Sequence, residues 1–282
     1  MNTSTPSMPI RTLQTLGESG HGSRHIGGDH GLEIDLSACD RQIPRIIHQT
    51  WRDRDVAAHS HVAVLSQQSW RAHHPEWDYR LWTDSELEPF IERYYGWFLP
   101  TWRQLNLKIK RIDAVRYCWL HHFGGMYADL DFVCIKNVEP LLEGNEVVSY
   151  RSREAEEQGW VFAGNAWMAS VPRHPLWISM LHHIRDYPQQ DGTDMFSVLR
   201  HTGPMGLGQV FEEFLGARKA SGIRIVGSAL VGNESEPPYE FAYHARTQQW
   251  GQDWQAAART KTRRLAARVV NKLKGLLPLK RR

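Results

Sequence analysis

The chain has 282 residues, of which 41% are hydrophobic and 23% charged, a balance that excludes an intrinsically disordered protein and predicts a sizeable core. No run of about 18 apolar residues occurs, so the sequence predicts no transmembrane helix. The net charge of +3 is unevenly spread, because residues 256–282 hold ten of the 34 Lys and Arg and no acid, which leaves 24 bases against 31 acids, a net −7, elsewhere.

The two ends of the chain differ from its middle. Residues 1–41 are rich in Gly, Ser, Thr and His without sustained periodicity, which predicts a flexible tail, and they lack the apolar core of a signal peptide. Residues 256–282 place apolar side chains on one helical face and bases on the other, which predicts a basic amphipathic tail. We expect this tail to bind an anionic membrane surface rather than nucleic acid, with a disordered basic tail as the alternative. The folded domain is therefore expected at 42–255.

The first part of that domain alternates between strand and helix patterns. Apolar, β-rich runs predict strands at 43–51 and 77–82, and helical spacing predicts helices at 62–72 and 86–103, the second interrupted near its glycine and proline. Thr83 or Asp84 would cap that second helix, and for Asp84 a catalytic role is the alternative.

The stretch KIKRIDAVRYCWLHHFGGMYADLDF at 108–132 organises the rest of the chain. Ile109, Ile112, Val115 and Trp119 recur at helical spacing, which predicts a helix whose apolar face meets the core. Asp113 and Arg116 lie three residues apart on another face of this helix, and the Gly-Gly pair ends it.

Two carboxylates follow the glycines. Alternation predicts a strand with Tyr127, Asp129 and Asp131 on one side, so that the two carboxylates would lie about 7 Å apart. Mg²⁺ and Mn²⁺ take hard oxygen ligands, typically one or two carboxylates together with phosphate oxygens. A solvated acidic turn is the common alternative, but the apolar and aromatic neighbours of this pair favour a buried strand end that needs a cation.

The second half of the domain predicts further elements of both kinds. Strands are expected at 147–150, 160–170 and 223–226, and helices at 175–186 and from 208 to 215. The charged residues 151–158 predict a mobile loop.

The stretch RIDAVRYCWLHHFGGMYADLDF resembles the core signature of the Asp-x-Asp sugar-binding glycosyltransferases, a family that includes fungal initiation-specific mannosyltransferases and bacterial capsular and lipopolysaccharide transferases. The run IPRIIHQTW is similar to the family's opening strand. The resemblance implies an α/β fold of GT-A type, in which a mixed, mostly parallel sheet flanked by helices binds a nucleotide sugar, and it implies Mn²⁺ or Mg²⁺ as cofactor. Eukaryotic members usually carry an apolar N-terminal anchor, and residues 1–41 contain no apolar segment of that kind. We therefore expect a bacterial cytoplasmic enzyme, peripheral on the inner face of the cytoplasmic membrane.

The resemblance also implies roles for individual residues. Asp113, Arg116 and Asp131 would be catalytic, and Asp129, Asp131 and His244 would hold the metal. Seven residues would contact the donor, namely Trp51, Asp113, Arg116, Tyr127, Asp129, Asn165 and Trp250. The last of these stands in Gln-Gln-Trp where the family has Gly-Ser-Trp, which weakens its assignment.

Structural roles stay open for most of this set. Trp51 would otherwise only pack in the core. Asp113 and Arg116 would form a surface ion pair, which stabilises a helix by only about 0.2–0.5 kcal/mol. Asn165 and His244 would be hydrogen-bonded structural residues.

The predicted function is metal-dependent, configuration-retaining transfer of a hexose from a nucleotide sugar to a hydroxyl of a glycan or lipid-linked acceptor, in bacterial surface polysaccharide synthesis. A glucosylating effector with a protein acceptor would share every donor-side residue, because donor binding does not encode the acceptor. A catalytically inactive, membrane-associated scaffold is the third hypothesis, against which the intact Asp-x-Asp motif argues.

Overall fold

The computed structural model describes residues 42–159, 162–187, 191–217, 222–233, 235 and 237–245. The predicted tails at 1–41 and 256–282, and Trp250, lie outside this part of the chain. None of the helices in the described ranges is long and apolar enough to cross a lipid bilayer.

The described ranges contain both strands and helices. The strands are β1 (Ile46–Trp51), β2 (Asp78–Thr83), β3 (Gly125–Ala128), β4 (Phe132–Cys134), β5 (Val147–Tyr150), β6 (Gly164–Ser170), β7 (Ile223–Val226), β8 (Val231–Asn233) and β9 (Ala242–His244). The helices are α1 (His61–His73), α2 (Asp84–Tyr94), α3 (Leu99–Gln104), α4 (Lys108–Phe123), α5 (Glu139–Leu142), α6 (Arg153–Gln158), α7 (Pro175–Asp186), α8 (Met195–His201) and α9 (Pro204–Ala217).

A six-stranded sheet in the order β2-β1-β3-β6-β5-β7 forms the centre of the fold. Strand β6 runs antiparallel to both of its neighbours, whereas the other pairings are parallel. Helices α4 and α7 pack on one face of this sheet, and Trp70 of α1 packs on the other. The predicted α/β architecture, a mixed and mostly parallel sheet flanked by helices, is confirmed.

Helix α4 divides its predicted apolar face between the core and a cleft. Val115 and Trp119 are fully buried in the core, as predicted. Ile109 and Ile112, nearer the start of the helix, line the cleft described below. The helix ends at Gly124, whose φ of 65° and ψ of −152° are accessible to glycine but strained for residues with a Cβ atom.

The predicted continuous strand after the glycines is wrong. Strand β3 ends at Ala128, and Phe132 begins β4 in a separate three-stranded sheet ordered β4-β9-β8. Between them the Phe132 amide donates to the Asp129 carbonyl over 2.9 Å, which closes a tight turn. The break occurs because β4 pairs with β9, a strand far along the chain that local alternation cannot reveal.

The charged segment predicted as a mobile loop contains helix α6. The Ser152 side chain accepts a hydrogen bond from the Ala155 amide over 3.3 Å, and Ala155 is buried. Gly159 ends the helix in the left-handed region with φ 64°. A serine cap and a terminal glycine therefore override the charge run.

His48 of β1 lies in the core as a neutral ring. Its Nδ1 accepts from Trp82 Nε1 over 3.2 Å, so its Nε2 donates to the Gly124 carbonyl over 3.1 Å. Burial lowers the pKa of His48 from 6.5 to about 4. Protonating this ring in the folded protein is therefore unfavourable.

We expect His48 to make stability depend on pH. As the pH falls from 6.5 towards 4, the unfolded chain binds a proton that the folded ring rejects, so the contribution of His48 to the free energy of unfolding is lost, by up to about 3 kcal/mol. Urea titrations between pH 7 and 4.5 should therefore show a shallower pH dependence for His48→Gln than for the wild type. Parallel curves would contradict this account.

Candidate active site

A cleft opens at the carboxyl ends of β1, β2 and β3. Its walls come from the residues after β1, the start of α1, the start of α2 and the first turns of α4. The lining consists of Thr50, Trp51, Arg52, Ser60, Ala63, Asp84, Lys108, Ile109, Ile112, Arg116, Tyr127, Asp129, Leu130 and Asp131. This is the edge at which ligands bind in open α/β sheets.

Asp129, Asp131 and His244 meet beside this cleft. One candidate ligand atom from each side chain lies within 4.8 Å of the others. His244 reaches the group because β9 pairs with β4, which sets His244 opposite Phe132. Its ring stacks on Phe132 with centroids 5.4 Å apart, and its Nε2 lies 3.0 Å from Asp131 Oδ1.

The turn holds Asp129 in a fixed position. Its amide donates to the Ala166 carbonyl over 2.7 Å, and the Gln49 side chain donates to its carbonyl over 3.2 Å. The Tyr127 hydroxyl donates to Asp129 Oδ1 over 2.6 Å. Burial raises the pKa of Asp129, while the nearby Arg116 acts in the opposite direction, so a cation would favour its charged form.

Arg116 connects α4 to this turn. Its guanidinium nitrogens lie 3.0 Å from Asp113 Oδ1 and 3.2 Å from Asp129 Oδ1, and one donates to the Asn165 carbonyl over 2.7 Å. The guanidinium also lies over the Tyr127 ring, 4.6 Å from its centroid. Burial alone would lower the pKa of Arg116, but the carboxylates around it raise the pKa overall, so the side chain stays charged. The pair is thus buried, contrary to the surface alternative.

Asp113 lies behind Arg116 and is only 3% exposed. Thr202 Oγ1 donates to its Oδ2 over 2.8 Å, and Asn165 Nδ2 donates to its Oδ1 over 3.1 Å. Tyr117 joins the network by donating to the Thr202 carbonyl over 2.6 Å. Burial raises the pKa of Asp113 to about 6, although Arg116 and these hydrogen bonds act to lower it.

The structure divides the predicted site residues into two layers. Trp51, Arg116, Tyr127, Asp129 and Asp131 line the cleft, and His244 touches Asp131. Asp113 and Asn165 stand in a second layer, with both Asp113 oxygens in hydrogen bonds. Their predicted contact with a donor sugar stays a prediction, and the observed contacts indicate that they position Arg116.

Two features of the site were missed in the sequence. Thr202 precedes Gly203 and Pro204, residues typical of a tight turn, yet its hydroxyl donates to Asp113. Lys108 lies on the cleft wall and forms an ion pair with Asp84. Lys108 begins the helix that carries Asp113, and this position was the available signal.

Comparison with known proteins decides the family. Residues 60–148 match the model for the glycosyltransferase sugar-binding region containing a DXD motif. This part of the chain belongs to the DXD-containing glycosyltransferases. The DXD motif is Asp129-Leu130-Asp131, and the matched region runs from α1 to the start of β5.

Relatives of the DXD region are named fungal mannosyltransferases. Inositol phosphoceramide mannosyltransferase 1 of Schizosaccharomyces pombe is 31% identical over 212 residues, which cover 74% of this chain and 62% of the relative. Mannosyl phosphorylinositol ceramide synthase SUR1 of Saccharomyces cerevisiae is 32% identical over 227 residues, covering 80% and 56%. The chain therefore spans less than two thirds of the length of these relatives.

Solved structures give weaker similarity. The PaToxG glycosyltransferase aligns with a TM-score of 0.46 at 16% identity, covering 63% of this chain and 72% of that one. Mouse xyloside xylosyltransferase 1 aligns with a TM-score of 0.35 at 10% identity, covering 72% and 98%. The DXD family match and the mixed sheet agree with the predicted GT-A-type fold.

Proposed function

We propose that the protein is a metal-dependent, configuration-retaining glycosyltransferase that moves a hexose from a nucleotide sugar to a hydroxyl of a glycolipid or glycan. The observation that carries this proposal is the meeting of Asp129, Asp131 and His244 with Arg116 at the carboxyl edge of the sheet. The intact charge network favours an enzyme over an inactive scaffold.

The side chains present fit a divalent cation. Asp129, Asp131 and His244 offer two carboxylate oxygens and one imidazole nitrogen, and each side chain is part-exposed beside the cleft. Such a mixed set suits Mn²⁺, and Mg²⁺ is the alternative, since carboxylates serve both ions. When bound, the ion would supply Lewis-acid stabilisation of the leaving diphosphate.

The remaining residues of the cleft would bind and orient the donor. Trp51 offers an aromatic surface on which the nucleotide base would stack. Arg116 presents a fixed positive charge where negative charge would develop on the diphosphate, and its position is fixed by Asp113, Asp129 and the Tyr127 ring. Because the Arg116 guanidinium is already held in place, it would not need to move as charge develops during the reaction.

Retention is proposed to follow from attack on the same face as departure. The acceptor oxygen would bond to the anomeric carbon as the bond from that carbon to the diphosphate breaks, and the acceptor proton would pass to the departing phosphate oxygen. Asp113 is a poor candidate for a covalent nucleophile, because it is buried and both its oxygens accept hydrogen bonds.

The names of the relatives guide the choice of donor and acceptor. They describe mannosyl transfer to inositol phosphoceramide, so mannose is the first sugar to test and a lipid-linked hydroxyl the first acceptor. These fungal relatives give no support to the expected role in bacterial surface polysaccharide synthesis. Peripheral attachment to a membrane remains part of the proposal.

Transfer assays would test the acceptor class. The full chain would be incubated with Mn²⁺, GDP-mannose or UDP-hexoses, and inositol phosphoceramide, a lipopolysaccharide core or a protein mixture. We expect mass spectrometry to find one added hexose on the glycolipid. Modification of protein alone would instead indicate the effector hypothesis.

Thr202→Val should shift the acid limb of the pH–activity profile. Activity is expected to fall as Asp113 loses its charge below a pH of about 6, because the buried Arg116 then loses one of its carboxylate partners. Removing the Thr202 hydroxyl removes a hydrogen bond to the ionised form, so the midpoint should move up by about one pH unit.

Thr202→Ser is the matched variant, because it keeps the hydroxyl that donates to Asp113. We expect it to restore the wild-type profile. An unchanged acid limb in Thr202→Val would contradict a positioning role for Thr202, even if the overall rate fell.

A further inference from the structure

Asp84 stands where β2 ends and α2 begins, at the edge that carries the cleft. Strand β2 pairs in parallel with β1, and its last residue, Thr83, lies opposite Trp51 at the end of β1. Both Asp84 and Trp51 line the cleft. The Asp84 carboxylate is therefore a close neighbour of the surface proposed to hold the base.

Capping of α2 does not need the Asp84 carboxylate. Thr83 is the N-cap residue, and Glu86 Oε2 accepts from the Thr83 amide over 2.8 Å and from its hydroxyl over 2.7 Å. Glu86 also accepts from Arg54, which ties the residues after β1 to this helix end. The capping alternative for Asp84 is thus wrong, and its carboxylate points to the cleft instead.

The partner of Asp84 is another residue that lines the cleft. Lys108, the first residue of α4, donates to Asp84, and both side chains are substantially exposed, by 49% and 36%. A cation at a helix N-terminus opposes the helix dipole, so α4 gains no stability from Lys108. An exposed ion pair of this kind contributes about 0–1 kcal/mol, so the carboxylate can exchange its ammonium partner for other donors.

We propose that Asp84 accepts hydrogen bonds from the ribose hydroxyls of the donor nucleotide, and that Lys108 holds the carboxylate until the nucleotide enters. The inference rests on the proposed function and names the part of the donor that Asp84 binds. Two carboxylate oxygens match the two donors of a cis-diol. In dinucleotide-binding sheets an acidic residue about 20 residues after the first βα turn binds the ribose in this way, which is an analogy for Asp84. Trp51 would place the ribose beside Asp84.

The test compares nucleotides that differ only at the ribose. Dissociation constants would be measured by calorimetry with Mn²⁺ for UDP, GDP and their 2′-deoxy analogues, on wild type, Asp84→Asn and Glu88→Gln. Glu88 is the matched control, since it lies on α2 in an exposed pair with Arg103 and does not line the cleft. We expect the wild type and Glu88→Gln to prefer the ribonucleotide by about tenfold or more, and Asp84→Asn to lose most of that preference.

The outcomes separate this inference from the proposed function. Metal-dependent nucleotide binding with an unchanged ribose preference in Asp84→Asn would overturn the role of Asp84 and leave the proposed function standing. Equal weakening of both nucleotides would also overturn it, because a purely structural role predicts that result. Absence of binding by any nucleotide to the wild type would overturn both.

Discussion

Replacing Asp131 with Asn is expected to abolish metal-dependent turnover while leaving the fold intact. The amide keeps the shape of the side chain but removes the charge that would hold the cation with Asp129 and His244. Loss of a metal that stabilises the leaving group should reduce the turnover number by about 1,000-fold or more. Initial rates of nucleotide release at saturating donor would measure the effect.

Asp53→Asn is the control for this experiment. Asp53 also pairs with a histidine, His59, over 3.1 Å, but it lies outside the cleft lining. It should retain the wild-type rate and the wild-type urea midpoint. A fully active Asp131→Asn enzyme would remove the metal role from Asp131.

Replacing Gly124 with Ala should destabilise the fold strongly, and by more than the replacement of Gly144 with Ala. A Cβ atom at Gly124 would lie 2.7 Å from the Pro172 nitrogen and 2.8 Å from the Ser170 carbonyl oxygen. The backbone cannot yield without moving β3 and the DXD turn. We expect the free energy of unfolding to fall by about 4 kcal/mol or more, measured by guanidinium titration.

Gly144→Ala isolates the backbone contribution. Gly144 also has a positive φ, of 69°, but a Cβ atom there would meet nothing within 4 Å. Its substitution should cost about 1–2 kcal/mol, the strain of the left-handed conformation alone. Equal losses for the two variants would show that the contact at Gly124 is unimportant.

Local sequence pattern predicted the elements that carry the site. Strand β1, helix α4 and the Gly-Gly break formed where apolar spacing and glycine placed them. Each of these depends on neighbours within one or two turns of chain. The same stretch also placed Asp129 near Asp131, although the strand predicted to carry both ends at Ala128.

Long-range contacts account for what the pattern missed. The DXD residues lie in a turn between two sheets because β9 pairs with β4. Asp113 faces Thr202 rather than the cleft because the end of α8 packs beside α4, a contact across 89 residues. Neither the β4–β9 pairing nor the contact between α8 and α4 produces a periodic pattern in the sequence around the DXD motif or Asp113.

The sequence analysis did not predict the short helices α6 and α8, for a different reason. The many charged residues of α6 led to the prediction of a loop, although Ser152 and Gly159 cap the two ends of this helix. Helix α8 begins similarly, with the Asp194 side chain accepting from the Ser197 amide over 2.9 Å. In helices this short, the capping residues carry more information than periodicity.

The most direct test of the central claim is nucleotide release from a panel of UDP- and GDP-sugars by the purified chain, with Mn²⁺ and with a chelator. Binding of the free nucleotides would be measured by calorimetry under both conditions. A metal diphosphate site at Asp129, Asp131 and His244 predicts release of one nucleotide only when the metal is present, together with metal-dependent binding of that nucleotide. Failure of every nucleotide to bind in a metal-dependent way would contradict it.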